Sequence, residues 1–286
     1  MRFVSLHSEP WAGSVQAPAS SSLSLTPATG SPLVRLAPET LLWDVDGTLA
    51  ETELDGHRLA FNRAMAEAGL PFHWDPSTYL PLLRVTGGRE RMAVFLEQQE
   101  GRRPSDERLD ALQRSKQAHY SQLVAAGEIQ LRPGVLRLMA AAAAAGLPQA
   151  IVTTSGRSAV QALLDRQLPD HRDWLAFWVC GEDVTAKKPD PQGYQLALER
   201  LGCPADGVLA LEDSGHGVTA AQGAGLTVLA TRSASSSHEP ESHFAAAAAL
   251  LDGLGGPGAP CQVLRGPACP EGQVTLSYLQ RLFPGG

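Results

Sequence analysis

The sequence predicts an α/β fold: a doubly wound parallel sheet into which an all-helical segment is inserted. Three observations lead there. Short apolar runs at 41–43, 149–153, 175–180, 208–211 and 226–230 are continuous rather than alternating, which suits strands buried on both faces of a sheet. Most of these runs are followed by a helical pattern, and strand–helix alternation at that spacing builds a parallel sheet wrapped on both sides. A long stretch between the first and second runs carries only helical patterning.

Residues 1–39 are rich in Ser, Pro and Ala without apolar periodicity, and read as a disordered N-terminal extension. Serine richness and few acids suit a plastid transit peptide, whereas few arginines and no amphipathic helix suit a bacterial extension or a start codon set too early. Order begins at Thr40, and the expected core comprises 40–53 and 131–255, with Arg132-Pro133-Gly134 marking the return to it. Between them, 54–130 is expected to form a helical cap, which after the first strand would sit above the crevice as a lid. The alanine run 140–145, stopped by Gly146 and Pro148, is an ordinary helix. The Gly/Pro-rich 256–286 reads as a C-terminal tail with one short helix at 274–283.

Composition narrows the function. Of 286 residues, 43% are hydrophobic and 19% charged, so a packed core is expected and wholesale disorder is not. A net charge of -7 argues against nucleic-acid binding, which calls for a basic face. No apolar run approaches the ~20 residues that span a bilayer. A soluble monomer is expected, in a bacterial cytoplasm or, as the second choice, a chloroplast stroma. The four cysteines, Cys180, Cys203, Cys261 and Cys269, form no CxxC pair and are expected as reduced thiols, with a Cys261–Cys269 bridge as the alternative. Trp74, Trp174 and Trp178 are expected to pack rather than to form a stacking platform.

The chemistry sits where strands end. Asp44-Val45-Asp46-Gly47-Thr48 follows the first apolar run. Two carboxylates leaving a buried strand repel one another by about 4 kcal/mol at ~4 Å and a protein-like dielectric, a cost that a divalent cation removes. Gly47 permits the tight turn that follows. The second run ends in Thr153-Thr154-Ser155-Gly156, hydroxyls and amides suited to phosphate oxygens. After the third comes Lys187-Lys188-Pro189-Asp190, offering an ammonium as a compact counter-charge. The fourth ends in Glu212-Asp213-Ser214-Gly215, more carboxylates for a hard cation before a helix start. Each has a plainer alternative: an Asp N-cap, an ST-turn, a solvated lysine, a capping aspartate. Their joint placement at four strand ends favours a phosphate-handling site. Which of Asp44 and Asp46 is the nucleophile is left open by the chemistry alone.

These motifs resemble those of the haloacid-dehalogenase superfamily of hydrolases, whose core is Rossmann-like, over roughly 41–254. The resemblance implies Asp44 as nucleophile, Asp46 as general acid/base, Thr153 as the phosphate-binding hydroxyl and Lys188 as the lysine that steadies nucleophile and phosphoryl group. It implies Mg2+ held by Asp44, the Asp46 carbonyl, Asp213 and Glu212. The runs Asp44 to Glu53, Asp55-Gly56-His57-Arg58, Phe61-Asn62 and Thr86-Gly87-Gly88-Arg89-Glu90-Arg91-Met92 are similar to those of the CbbY-type sugar-bisphosphate phosphatases. That likeness implies conversion of xylulose-1,5-bisphosphate, a by-product of Rubisco that inhibits it, to xylulose 5-phosphate. It implies Arg89 gripping the non-reacting phosphate, Glu53 and His57 contacting sugar hydroxyls, and Thr154 and Ser155 contacting the substrate. Thr154-Ser155-Gly156 departs from the poly-Thr version of some relatives. For Arg89 the alternative is a surface helix charge, and for Glu53 and His57 first-turn helix residues; His216 reads as a plain helix-start residue. A β-phosphoglucomutase-like mutase, a broad-specificity sugar phosphatase, or a non-catalytic binding protein on the same scaffold are the rival functions.

Overall fold

The structure, a computed structural model, describes residues 38–284, so residues 1–37 of the extension expected at 1–39 lie outside the described residues. Seven strands form one sheet: β1 (Thr40–Trp43), β2 (Gln149–Val152), β3 (Trp178–Val179), β4 (Val208–Glu212), β5 (Thr227–Thr231), β6 (Ala249–Leu251) and β7 (Val263–Arg265). Their order is β3-β2-β1-β4-β5-β6-β7, and all pairs are parallel except β6 with β7. β1 is buried along its whole length between β2 and β4, with Leu42 opposite Ala150 on one side and Ala210 on the other.

Period-two alternation sends neighbouring strand residues into different layers. Leu41, Trp43, Ile151, Leu209 and Leu211 enter one core with the helices α5 (Val135–Ala144) and α6 (Arg157–Gln167), through Leu138, Met139, Leu163 and Leu164. Leu42, Ala150, Val152 and Ala210 enter the other, under α7 (Gln192–Leu201) and α8 (Gly215–Gly223), through Tyr194, Ala197, Val218 and Ala221. This is the doubly wound arrangement expected.

Between β1 and α5 stand only helices: a single π-helical turn at Glu53–His57, then α1 (Arg58–Glu67), α2 (Pro76–Leu82), α3 (Gly88–Glu100) and α4 (Asp106–Ala125). They hold a hydrophobic cluster of their own, in which Phe61, Met65, Trp74, Tyr79, Met92 and Leu96 are fully buried. Local chemistry sets the ends. Asp75 caps α2 by accepting from Thr78 N at 2.7 Å, with Pro76 at the first helical position, and Ser105 caps α4. Asn62 pins the connection after α1, donating to Trp74 O at 2.8 Å and accepting from Trp74 N at 2.7 Å.

Three details differ from the sequence reading. β3 is two residues long rather than the expected 175–180, because it lies at the sheet edge with β2 as sole neighbour and is preceded by a 3-10 turn at Arg172–Trp174. Flanking ladder bonds, Ala176 N to Gln149 O at 2.8 Å and Ile151 N to Phe177 O at 3.1 Å, extend it. β6 and β7 were not foreseen, each being three residues long amid alanine-rich or Gly/Pro-rich chain. The last helix, α9 (Leu276–Gln280), is shorter than the expected 274–283. The tail is hooked to α5 by Arg137, which donates to Val274 O at 2.8 Å and to Leu254 O and Gly255 O at 3.0 Å. Cys261 and Cys269 are free thiols with sulfurs 3.9 Å apart. Among the described residues, no helix is long and apolar enough to cross a membrane.

Candidate active site

Two groups of side chains meet at the carboxyl ends of β1, β2 and β4. The first surrounds Asp44, which leaves β1 with its amide on Leu211 O of β4 at 3.0 Å. Lys188 Nζ lies 2.7 Å from Asp44 Oδ1, 2.6 Å from Glu212 Oε1 and 2.8 Å from Val152 O. Tyr194 donates its hydroxyl to the same Glu212 oxygen at 2.5 Å, and Ser233 donates to Asp213 Oδ2 at 2.5 Å. Asp44, Glu212 and Asp213 each offer an oxygen, and these oxygens all lie within 4.8 Å of one another. All three are buried.

The electrostatics of this group call for a cation. Burial pushes Asp44 up to about 8, opposed by Lys188 and reinforced by the Glu212 and Asp46 charges. Burial, with the Asp44 and Glu212 charges, likewise holds Asp213 far above the carboxylate range. Lys188 is also shifted up, which in its case keeps the charge: burial works against the ammonium, and Asp44 and Glu212 outweigh that. Three carboxylates against one ammonium are short of positive charge, and their hard oxygens are the donors that Mg2+ takes. The backbone is cut to fit them. Gly47 has φ 84°, and a side chain there would collide with Asp213 Oδ2 and Ser233 Oγ. Arg132 fastens the same turn from below, donating to Gly47 O and pairing with Glu51 at 3.0 Å.

The second group surrounds Asp46. Thr52 Oγ1 donates to its Oδ1, His57 Nε2 stands 2.9 Å from that oxygen, and Ser155 Oγ donates to Oδ2 at 2.5 Å. Burial works to raise Asp46, yet His57 and the bonds from His57, Ser155 and Thr52 hold it far below the usual carboxylate range. Lys116 Nζ lies 2.8 Å from His57 Nδ1, and the imidazole stacks on Tyr120 with centroids 4.4 Å apart. An ammonium at Nδ1 leaves the ring proton on Nε2, where it donates to Asp46. A cavity of about 230 Å³ opens onto this group.

The haloacid dehalogenase-like hydrolase family matches this chain over residues 38–225. The chain belongs to that family. It is an enzyme, a hydrolase of phosphoric monoesters. Protein CbbY of Cupriavidus necator is 42% identical over 229 residues, covering 78% of this chain and 88% of that one. A CBBY-like protein of Arabidopsis thaliana is 35% identical over 245 residues, covering 83% and 76%. Among solved structures, a mutant of CbbY from Rhodobacter sphaeroides in complex with xylulose-(1,5)bisphosphate is similar with TM-score 0.70 and 41% identity, over 75% of this chain and 94% of that one.

In this haloacid dehalogenase-like hydrolase the expected site residues stand as follows. Asp44, Lys188, Glu212 and Asp213 form the first group, and Asp46, His57 and Ser155 the second. The Asp46 carboxylate is outside the three-carboxylate group and is engaged instead by Thr52, His57 and Ser155. Thr153 is buried and its hydroxyl accepts from Ser155 N at 3.1 Å, an ST-turn. Glu53, Arg89 and Thr154 line the cavity. Glu53 accepts from Tyr79 at 2.5 Å, and Arg89 pairs with Asp106 at 2.7 Å and Asp110 at 2.9 Å, both on α4. His216 stands in the first turn of α8.

Sequence reasoning missed Lys116, Thr52, Tyr194 and Ser233. For Lys116 a signal was there: Leu109, Leu112, Lys116, Tyr120 and Leu123 are the buried stripe of α4, so a lysine occupies an apolar position. Thr52 stands at the N-cap position of the π-helical turn, and Ser233 belongs to the serine-rich loop after β5, where its hydroxyl meets those of Ser235 and Ser236; neither position is marked by its local pattern as a partner of an acidic side chain.

Proposed function

We propose that this hydrolase removes phosphate from a small sugar phosphate through an aspartyl-phosphate on Asp44, converting xylulose-1,5-bisphosphate to xylulose 5-phosphate. The observation that carries this reading is Asp44 held 2.7 Å from Lys188 beside two further buried carboxylates at one rim of the sheet. The choice of sugar is supported by the ligand of the R. sphaeroides CbbY structure. Asp44, Glu212, Asp213 and the Asp46 carbonyl would hold Mg2+, which when bound supplies positive charge to the phosphoryl oxygens.

The protein's own groups do the rest. A carboxylate oxygen of Asp44 attacks phosphorus in line; the new Asp44–phosphorus bond forms as the bond from phosphorus to the sugar oxygen breaks. The leaving oxygen takes a proton from Asp46. A water then attacks phosphorus, Asp46 takes its proton, and inorganic phosphate leaves with Asp44 restored. As the site stands, Asp46 is held ionised, the form needed for the second step. A phosphate dianion brought beside it raises its proton affinity and supplies the acid form for the first. Lys188 steadies Asp44 and the transferring group, while Thr153, Thr154 and Ser155 offer hydroxyls to its oxygens.

In the same reading residues 54–130 act as a cap over a core of 40–53 and 131–255. Arg89 grips the remote phosphate by exchanging Asp106 and Asp110 for it, and Glu53 and His57 face the sugar. Closure is then favoured by a second phosphate, so remote binding energy assembles the site.

The test is a Mg2+-dependent phosphate-release screen of sugar mono- and bisphosphates on the wild type and Asp44→Asn. Xylulose-1,5-bisphosphate should lead in kcat/KM by about tenfold or more, ~1.4 kcal/mol, and Asp44→Asn should form no phosphoenzyme. A flat profile would sink the choice of sugar, and residual turnover by Asp44→Asn would sink the mechanism. Isomerised sugar phosphate without free phosphate, from β-glucose 1-phosphate and a bisphosphate primer, would make the enzyme a mutase.

A further inference from the structure

Among the described residues, seven buried side-chain polar atoms have no hydrogen-bond partner, and two of them, Gln113 Oε1 and Gln117 Nε2, line the cavity that also holds Asp46 and His57. Three of the others, Arg137 Nε, Arg172 Nε and Arg265 Nε, belong to guanidinium groups that bond through other nitrogens. The two glutamines therefore stand out. A buried polar group left unpaired is destabilising, because it has lost its hydrogen bonds to water and gained none in return. Where such groups gather in a cavity beside reactive side chains, a ligand is the partner that offsets the cost.

Their placement gives the ligand's chemistry. Gln113 and Gln117 are four apart on α4, on one face of the helix, with Lys116 between them committed to His57. Glycine at 88, the start of α3, keeps the space clear: a methyl there would stand 3.0 Å from Phe61 and 3.8 Å from Gln113 Oε1. Each amide presents an oxygen acceptor and a nitrogen donor, and is neutral. A phosphate dianion has no hydrogen to give an amide oxygen and is better met by a cation. A hydroxyl both gives and takes a hydrogen bond, as this pair requires.

We infer that Gln113 and Gln117 are specificity-determining residues that take hydroxyls on the carbon chain of the substrate. This rests on the sugar-phosphate reading above and deepens it: the enzyme selects a polyhydroxylated chain and not merely a phosphate ester. A site built to bond a hydroxyl rejects a substrate lacking it, because its own groups are then left bare.

The test compares wild type, Gln113→Met, Gln117→Met and the double variant on xylulose-1,5-bisphosphate and on p-nitrophenyl phosphate, which carries no hydroxyl. Methionine keeps length and removes the hydrogen bonds. The ratio of kcat/KM between sugar bisphosphate and aryl phosphate should fall about tenfold for each single variant, chiefly through KM. Thermal stability should hold or rise, because an unpaired buried amide is replaced by an apolar group. A ratio that stays within about twofold in an enzyme active on sugar phosphates overturns this inference alone. Equal losses on both substrates, with a lowered melting temperature, overturn it in favour of a structural role. A wild type inactive on every sugar phosphate overturns both this and the reading beneath it.

Discussion

Lys187 Nζ lies 2.6 Å from Glu90 Oε1, joining the loop that carries Lys188 to the first turn of α3, and both residues line the cavity. Gly87 (φ 93°) allows the approach, since a side chain there would strike both the Glu90 carboxylate and Lys187. The pair is partly exposed and adds little to global stability, under about 1 kcal/mol. In the proposed reading, in which residues 54–130 close over the core, its place at their junction gives it leverage on closure instead. Glu90→Gln should leave the melting temperature within a few degrees of wild type and lower kcat/KM roughly 3–10-fold, with less sensitivity to salt than wild type. Kinetics at two ionic strengths that show no difference between the proteins would dismiss this role.

Lys116 ties function to pH. Burial pushes it down to about 8 from an ordinary 10.5, against the pull of Glu53 and Asp46. Below that value an ammonium donates to His57 Nδ1; above it the proton, and its hold on the imidazole, are lost. The activity of wild type should therefore fall as pH rises through about 8, and Lys116→Met should have lower kcat and lack that limb. Stability moves in the opposite sense. The unfolded chain holds this proton more tightly than the folded one, so between about 8 and 10.5 the unfolded state binds more protons and folding is favoured as pH increases. Denaturant unfolding across that window should show the lysine's cost relative to Lys116→Met shrinking. A constant difference would mean the lysine is not held down.

Gly47→Ala should cripple the three-carboxylate group without touching a carboxylate. The new methyl would meet Asp213 Oδ2 in a backbone conformation that suits glycine alone. Activity should fall roughly 10–100-fold, and the Mg2+ concentration giving half-maximal rate should rise. A magnesium titration that superimposes on wild type would show that the turn does not position Asp213.

Arg137 should matter for stability and not for turnover. Replacing it with alanine removes donors to Val274 O, Leu254 O and Gly255 O at once, and unfolding free energy should drop by ~1–3 kcal/mol. Chemical denaturation gives the shift. An unchanged midpoint would show that the tail is held by α9 packing alone.

The parts of this enzyme legible in the sequence are those where chemistry and local pattern coincide. β1, β2, β4 and β5 lie within a residue or so of their apolar runs, because buried parallel strands need unbroken apolar sequence. Asp44, Asp46, Lys188, Glu212 and Asp213 could be picked out because they directly follow such runs or stand on the loops between them. β6 and β7 could not, since strands of three residues are fixed by their neighbours and not by their own composition. The partner of Arg89 was equally hidden: Asp106 and Asp110 meet it only once α3 and α4 pack together. Tyr194 looks like any amphipathic-helix aromatic until its hydroxyl is seen on Glu212.

β7 has a consequence for how this protein must be handled. A parallel sheet ending at β6 would present a row of bare amides and carbonyls to any other chain, an invitation to strand-by-strand aggregation. The short antiparallel strand covers that row, and Arg265 locks it by donating to Phe244 O at 2.5 Å and Ala247 O at 2.9 Å. On the far side β3 is two residues long, too brief to template much. Trimming the chain before Val263 to tidy its C-terminus would therefore uncover the adhesive border of the sheet, and the shortened protein should aggregate more readily than the full chain.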